Sequence, residues 1–594
     1  MKSCLPPSRS RGSHRRSVLA AVIGPILIVG GLGLTSASAA NAVPNAPLSV
    51  SALQVGPSAD ITVSWSPSNS GSAATGAVVQ LYSVVKNSYS LVSQIKCGAS
   101  CTSAVFRDLN FGTNYIAWVT PWNVTGSGPS TYSATLAPAN RCASGACVTL
   151  NATSSIGPAN HADSGVLNSV FNVGNLVTDL ASLDTTMYRG SPFYNEDGTL
   201  NWSDWNLAVG DGTKTELILS NLWSGFNAGN PPTPWSNWSI YNAWVKSTVK
   251  TIVASGEQVS YWDLYNEPGG FGYYSAANYA IVTPALLLQQ FLDTYQDVKA
   301  VDPSAAIVGP SLAEWGDYPN QYSTNTKSDP EFDMASFLTF AATNHLQLAA
   351  ISWHEIADSN GPNPEENSFF PAVIIDHVNE ARRLIAALPS LGHPQIFIEE
   401  YGLPEVQQIP GWDVSYLSAL TTAGVASADR ACWPASQCAN PTLDSLLANN
   451  AVYPEPDYWV RTAYAAMSGN MIASSSSLDW VTALGSYNAT NQTITGLIGR
   501  GKGCDQDAYC DSVDPYDPPL APISATITVT VPWRSGTVNV GLADIAGQNI
   551  TPIYQPIPVT STLKISPTGP NSGTVTIPIS SFADGDAYSL TIGQ

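Results

Sequence analysis

Between residues 148 and 500, short apolar runs rich in β-branched and aromatic residues alternate with stretches whose apolar positions recur every three or four residues. The first kind reads as a buried strand and the second as an amphipathic helix. Alternation of the two implies parallel strands joined by helical crossovers, because a parallel neighbour needs a connection long enough to return to the same end of the sheet. Strands are expected at 150–157, 185–188, 216–222, 259–264, 305–309, 348–353, 395–398 and 470–474. Helical spacing runs through 286–298, 374–388 and 459–467. Eight strands in this order predict a (β/α)8 barrel with inserted loops. A doubly wound sheet is the rival, but no glycine-rich phosphate loop follows an early strand.

The flanking segments have another texture. Residues 44–138 alternate with period two around Trp65, Tyr82 and Trp118, with Gly, Ser and Asn between, and predict an all-β module. Residues 523–594 alternate in the same way and predict a C-terminal β-sandwich, with the Pro/Asp-rich 501–522 as a linker. The chain is therefore read as multidomain, with the barrel at 148–500.

Residues 1–42 carry Lys2, Arg9, Arg11, Arg15 and Arg16 with no acid, then an apolar run to Leu34 and the small residues Ala37-Ser38-Ala39. This is the pattern of a cleaved signal peptide, by the Sec route or, through Arg15-Arg16, the twin-arginine route. A secreted product is expected, extracellular or cell-wall associated, with no membrane segment after cleavage. Beyond Cys4, the cysteines form four close pairs: Cys97 with Cys101, Cys142 with Cys147, Cys432 with Cys438, and Cys504 with Cys510. Even number and export suit disulfides, paired here by proximity. None has the Cys-x2-Cys knuckle of a zinc site, so no metal is expected. Asp and Glu total 44 against 23 Lys and Arg, a formal charge of −21, with no basic patch beyond the leader. Nucleic acid and anionic membranes are excluded as partners.

Barrel enzymes carry their chemistry at the C-terminal ends of the strands. The expected fourth strand ends Tyr261-Trp262-Asp263-Leu264-Tyr265-Asn266-Glu267-Pro268, and the seventh ends Ile396-Phe397-Ile398-Glu399-Glu400-Tyr401-Gly402. Two strands thus deliver a carboxylate out of an apolar run, where an unpaired charge would be costly. Opposed carboxyl groups are what hydrolysis of a glycosidic bond requires: one protonates the leaving oxygen and the other attacks the anomeric carbon or activates water. His354 ends strand six, and Arg189 ends strand two, where it would hold a carboxylate ionised. Trp480, after the expected eighth strand, offers a ring for a sugar to stack on.

At these residues the chain resembles the retaining glycoside hydrolases of clan A. The resemblance implies Glu267 as acid/base, Asn266 as a partner of the sugar 2-hydroxyl and Glu400 as nucleophile. It also implies a His near the nucleophile, matched by His354. Alternation points only one of Glu399 and Glu400 inward, and the glutamate-aromatic-glycine order favours Glu400. Burial and the charge of Glu400 are expected to keep Glu267 protonated. Asp297 to Pro303, Leu497 to Arg500 and Gly585-Asp586-Ala587-Tyr588 look most like glycoside hydrolase family 39, although Tyr265 stands where that family usually has Trp. That family includes β-xylosidases and α-iduronidases, so no single sugar is implied. The stretch Leu109 to Tyr115 resembles the tyrosine corner of a fibronectin type III module.

The implied function is hydrolysis of an extracellular polysaccharide or oligosaccharide without a cofactor. Gly-x-Ser-x-Gly, His-Glu-x-x-His and a Walker loop are absent. The alternative is a non-catalytic cell-wall or glycan-binding protein built on a degenerate barrel, which would have no reason to aim both carboxylates at one place.

Overall fold

The computed structural model describes residues 42–54, 59–86, 88–98, 101–106, 109–139, 142, 145–168, 181–194, 199–210, 212–222, 237–268, 283–313, 315, 332–356, 371–402, 409–431, 446–448, 453–501, 519–547 and 555–594. The signal peptide, save its last residue, lies outside the described residues. So do Cys432 and Cys438, and likewise Cys504 and Cys510. The two disulfides expected between them therefore remain expectations.

Eight parallel strands close into a barrel. They are β1 (Gly165–Leu167), β2 (Met187–Gly190), β3 (Lys214–Ile218), β4 (Tyr261–Asp263), β5 (Ile307–Val308), β6 (Ala350–Glu355), β7 (Gln395–Tyr401) and β8 (Ser427–Arg430). Closure runs through Gly165↔Asp429 and Val166↔Arg430. β2 to β7 are the strands expected from the sequence. The expected first and last strands are not: Ala146–Pro158 and Asn470–Ser476 pair antiparallel with each other in a different sheet. The true β1 has only three residues, and the true β8 reads Ser-Ala-Asp-Arg. A strand that buries Asp429 and Arg430 breaks the apolar pattern by which strands are found.

Helices between the strands are set by local chemistry. Trp238–Ser255 begins where the Asn237 side chain accepts from the Ile240 N–H and stops at Gly256, whose φ of 77° suits glycine. Pro284–Val301 begins with Thr283 as cap and Pro284 in the first turn, and turns Leu287, Phe291 and Val298 inward. Val373–Ala386 and Pro456–Ala465 cover the other two helical patterns. These helices bury one large apolar cluster against the outside of the barrel. Inside, Met187, Tyr261, Val308, Ala350 and Phe397 pack together at the lower end, so the polar residues sit above an apolar plug. No described helix is long and apolar enough to cross a membrane.

A ten-stranded sheet adjoins the barrel. Ala146–Pro158 runs parallel to Ile523–Val531, and Thr493–Arg500 runs antiparallel to Ala587–Gly593. The C-terminal β-structure is therefore assembled from three segments, and the expected division at 501–522 does not separate it from what precedes. Val148, Ile472, Ile498, Val529, Val540 and Ile577 share its core. Val414 and Leu417 of helix Pro410–Ala423 and Val460 of Pro456–Ala465 pack on it with Met471, Leu484 and Leu497. The approach is close: a Cβ on Gly411 would lie 1.8 Å from the Arg500 carbonyl oxygen.

The N-terminal residues form a three-stranded and a five-stranded sheet around Val63, Trp65, Val79, Tyr115 and Val119. The Tyr115 hydroxyl accepts from the Asn110 N–H at 2.9 Å. Disulfides join Cys97 to Cys101 and Cys142 to Cys147.

Candidate active site

Arg189 ends β2 fully buried and organises the upper barrel. Its Nη1 donates to Glu400 Oε1 at 2.8 Å, and its Nη2 donates to Asp263 Oδ2 at 2.6 Å, Asn266 Oδ1 at 2.9 Å and Ser311 Oγ at 2.9 Å. Its Nε donates to Asp263 at 3.2 Å. Two further carboxylates are within ion-pair range, Glu216 at 3.8 Å and Glu399 at 3.7 Å. A planar fork of donors suits this task better than a lysine point charge.

Glu267 follows β4 with φ of 48°, a left-handed conformation unusual for a residue with a side chain. Its N–H donates to the Ser311 carbonyl at 2.9 Å. The preceding Tyr265 donates its hydroxyl to Leu287 O at 2.6 Å and packs edge-on against Phe291, tying the end of β4 to a helix. His354 Nδ1 lies 3.1 Å from Glu267 Oε1 and 3.7 Å from Glu400 Oε2, and its Nε2 lies 3.3 Å from Ser311 Oγ. One oxygen of Glu267 and one of Glu400, with a His354 nitrogen, fall within 4.8 Å of one another. The Glu267 side chain is 22% exposed and that of Glu400 5%, so the pair meets solvent from the C-terminal end of the barrel.

Glu399 departs from expectation. Regular alternation would turn it away, yet it is fully buried, 3.7 Å from Arg189 and 4.0 Å from His354. The cause is an irregularity in β7: its register with β6 shifts between Trp353 and His354, so that His354 pairs with Glu400, and its register with β8 shifts between Ile398 and Tyr401. A bulge re-aims side chains, here bringing two consecutive glutamates to the interior. Tyr401 then locks the strand end, donating its hydroxyl to Asp163 O at 2.8 Å and accepting from Arg461 at 2.5 Å.

The electrostatics also differ from expectation. Burial acts to raise Glu267, but the hydrogen bond and charge of His354, with Arg189, outweigh it and leave the carboxyl below its usual range. Burial pushes Glu400 up, and His354 and Arg189 only partly offset it. Burial alone would lower His354, but Glu400 and Glu267 raise it above an ordinary histidine. Of the two, it is His354 and not Glu267 whose protonated form the surroundings favour. Asp263 is pushed up to about 8 by burial and the charge of Glu399, against the pull of Arg189.

Arg189, Asn266, Glu267, His354 and Glu400 meet at one place. Trp480 lies beside Val481–Asn488 in the ten-stranded sheet, its ring faced by the Arg500 guanidinium at 5.2 Å and packed against the apolar clusters of both sheet and barrel. Its expected position after strand eight fails because that strand is Ser427–Arg430. Sequence reading missed Glu216, Asp263 and Ser311. The two acids had a signal, a carboxyl inside an apolar strand, while Ser311 had none. The positive charge in this cluster comes from Arg189 and His354.

No protein-family model matches the chain, and no curated protein does. Its fold is similar to solved structures. One, from Neocallimastix frontalis and named N2152, is 18% identical with a TM-score of 0.57, covering 76% of this chain and 99% of that one. A glucosidase from Croceicoccus marinus is 15% identical with a TM-score of 0.51, again over 76% and 99%. CelM2, a bifunctional glucanase-xylanase from a metagenome library, is 13% identical with a TM-score of 0.50 over the same shares. At these identities the likeness is one of fold alone.

Proposed function

We propose that the chain is a secreted, retaining glycoside hydrolase acting on an extracellular polysaccharide or oligosaccharide by double displacement. One observation carries the reading: Glu267 and Glu400, from the ends of β4 and β7, bring carboxyl oxygens within 4.8 Å at the end of the barrel where such enzymes react. That spacing favours retention, for which the carboxyl groups stand about 5–5.5 Å apart, over inversion, which needs roughly 6.5–9.5 Å to admit a water. It also speaks against the glycan-binding alternative.

In the first step the Glu400 carboxylate attacks the anomeric carbon, the bond to the leaving oxygen breaks, and that oxygen takes a proton from Glu267. In the second, Glu267 takes a proton from water, the water oxygen bonds to the anomeric carbon, and Glu400 departs. Arg189 serves Glu400 by holding it ionised through the 2.8 Å bond. Asn266 gives its Oδ1 to Arg189 and keeps its amide N–H groups for the sugar 2-hydroxyl. His354 supplies the proton: a sugar covering the 22% exposed Glu267 deepens its burial, raises its proton affinity and draws the proton across the 3.1 Å contact. The reaction uses no cofactor.

The signal sequence and the two disulfides support export. The tyrosine corner at Tyr115 supports a fibronectin type III spacer ahead of the barrel. The test is a panel of cell-wall polysaccharides and aryl glycosides offered to the mature chain. Turnover that Glu400→Gln abolishes and Glu267→Gln lowers by about 10²–10⁴ supports the reading. Normal turnover by Glu400→Gln would sink it.

A further inference from the structure

Below Arg189 lies a group the double displacement does not use. One oxygen each of Glu216 on β3, Asp263 on β4 and Glu399 on β7 fall within 4.8 Å of one another, and all three side chains are fully buried. Their environments differ. Asp263 accepts from two nitrogens of Arg189, from the Tyr265 N–H at 3.3 Å and from Ser311 at 3.4 Å. Among the described residues, neither oxygen of Glu216 and neither oxygen of Glu399 has a hydrogen-bond donor. Two ionised carboxylates in that state would be costly, since a buried polar group is kept only when it is bonded and a buried charge only when it is paired. One guanidinium, itself committed to Asp263 and Glu400, does not neutralise both. A single proton removes the problem, because it makes one carboxyl a donor and the other its acceptor.

We propose that Glu216 and Glu399 share one proton, and that this pair positions Arg189 by leaving its charge to Asp263 and Glu400. Burial and the neighbouring Glu399 charge also push Glu216 well above an ordinary glutamate, so Glu216 is the protonated member. The groups facing the pair are Arg189 from β2, Asp263 and Tyr261 from β4, His354 from β6 and Asp429 from β8. No net proton moves during turnover. Loss of the shared proton would put a second negative charge beside Arg189, pull the guanidinium away from Glu400 and make Glu400 harder to ionise.

The part concerning Glu400 rests on the glycosidase reading; the shared proton does not, and two measurements on the full mature chain separate them. The first is denaturant unfolding across pH. A proton bound in the folded state and absent from the unfolded one makes stability fall as pH rises above about 4.3. Glu216→Gln, which supplies an amide donor permanently, is expected to make this fall shallower by one proton, and Glu399→Gln to do the same. If both variants keep the wild-type slope, the pair is not sharing a proton and the proposal is overturned.

The second is the pH profile of kcat/KM on an accepted glycoside. Glu216→Gln is expected to keep the acidic limb in place with activity within about threefold. Glu216→Ala, which leaves Glu399 charged without a donor, is expected to move that limb to higher pH and to lower kcat by tenfold or more with little change in KM. Equal limbs in the two variants would mean the pair only supports the fold, and the positioning role falls. A one-proton change in slope with no glycoside turned over would keep the pair and discard the glycosidase.

Discussion

Arg189 donates to Glu400, Asp263, Asn266 and Ser311 at once, so its shape matters as much as its charge. Lysine at this position keeps the charge and loses the fork. Arg189→Lys is expected to lower kcat/KM by about 10²–10³-fold, the scale on which one preorganised donor acts, and steady-state kinetics on an aryl glycoside checks it. His354 acts at a distance of 3.7 Å on Glu400, which it helps to ionise. His354→Phe removes that cation, so Glu400 should take up its proton at higher pH. The acidic limb of kcat/KM is expected to move up by about one unit or more, the usual effect of one nearby charge. A limb that stays in place would mean that His354 is neutral at working pH. Both residues were visible in the sequence as polar groups ending apolar strands. The left-handed turn at Glu267 was not, because nothing in Asn-Glu-Pro requires a φ of 48°.

At the scale of elements, β7 does the most. Its irregular register places two consecutive glutamates inside the barrel, and Tyr401 anchors its end through Arg461 and Asp163. Tyr401→Phe keeps the ring and leaves the Arg461 side of this network short of an acceptor. A loss of about 1–3 kcal/mol is expected, the cost of a buried polar group left unsatisfied, measured by denaturant unfolding. Because β7 carries Glu400, kcat should fall more than KM rises. The limits of sequence reading are clearest here. β2 to β7 were legible because each is an apolar run emerging from a turn. β1 and β8 were not: one is too short to show a period, and the other carries the buried Asp429 and Arg430, the latter paired with Asp457 at 2.6 Å. The more apolar 150–157 and 470–474 took their places in the pattern, though they belong to a sheet that the chain enters, leaves and re-enters. Periodicity reports which segments are strands; it does not report which sheet they join.

For the whole molecule, buried acids set the response to pH. Burial pushes Asp163 and Asp586 up to about 6 and Glu455 to about 7. A carboxyl raised in the folded state binds a proton that the unfolded chain releases near pH 4, so its contribution is fully present below that pH and is lost as pH rises through the folded value. With a formal charge of −21 adding self-repulsion as acids ionise, unfolding temperature is expected to be higher at pH 5 than at pH 8. A thermal melt in two buffers decides it. The same ranking suits a chain whose barrel and ten-stranded sheet share one packed boundary through Val414, Leu417 and Leu497, so that the two should unfold together.

In the proposed double displacement Glu400 becomes covalently bonded to the sugar. This is tested most directly by reacting the mature chain with activated 2-deoxy-2-fluoro glycosides of the type it accepts, then locating the adduct by peptide mass spectrometry. One glycosyl group per chain is expected, on Glu400, with Glu399 unmodified. An adduct on Glu399, or turnover that proceeds with inversion and leaves no adduct, would contradict it.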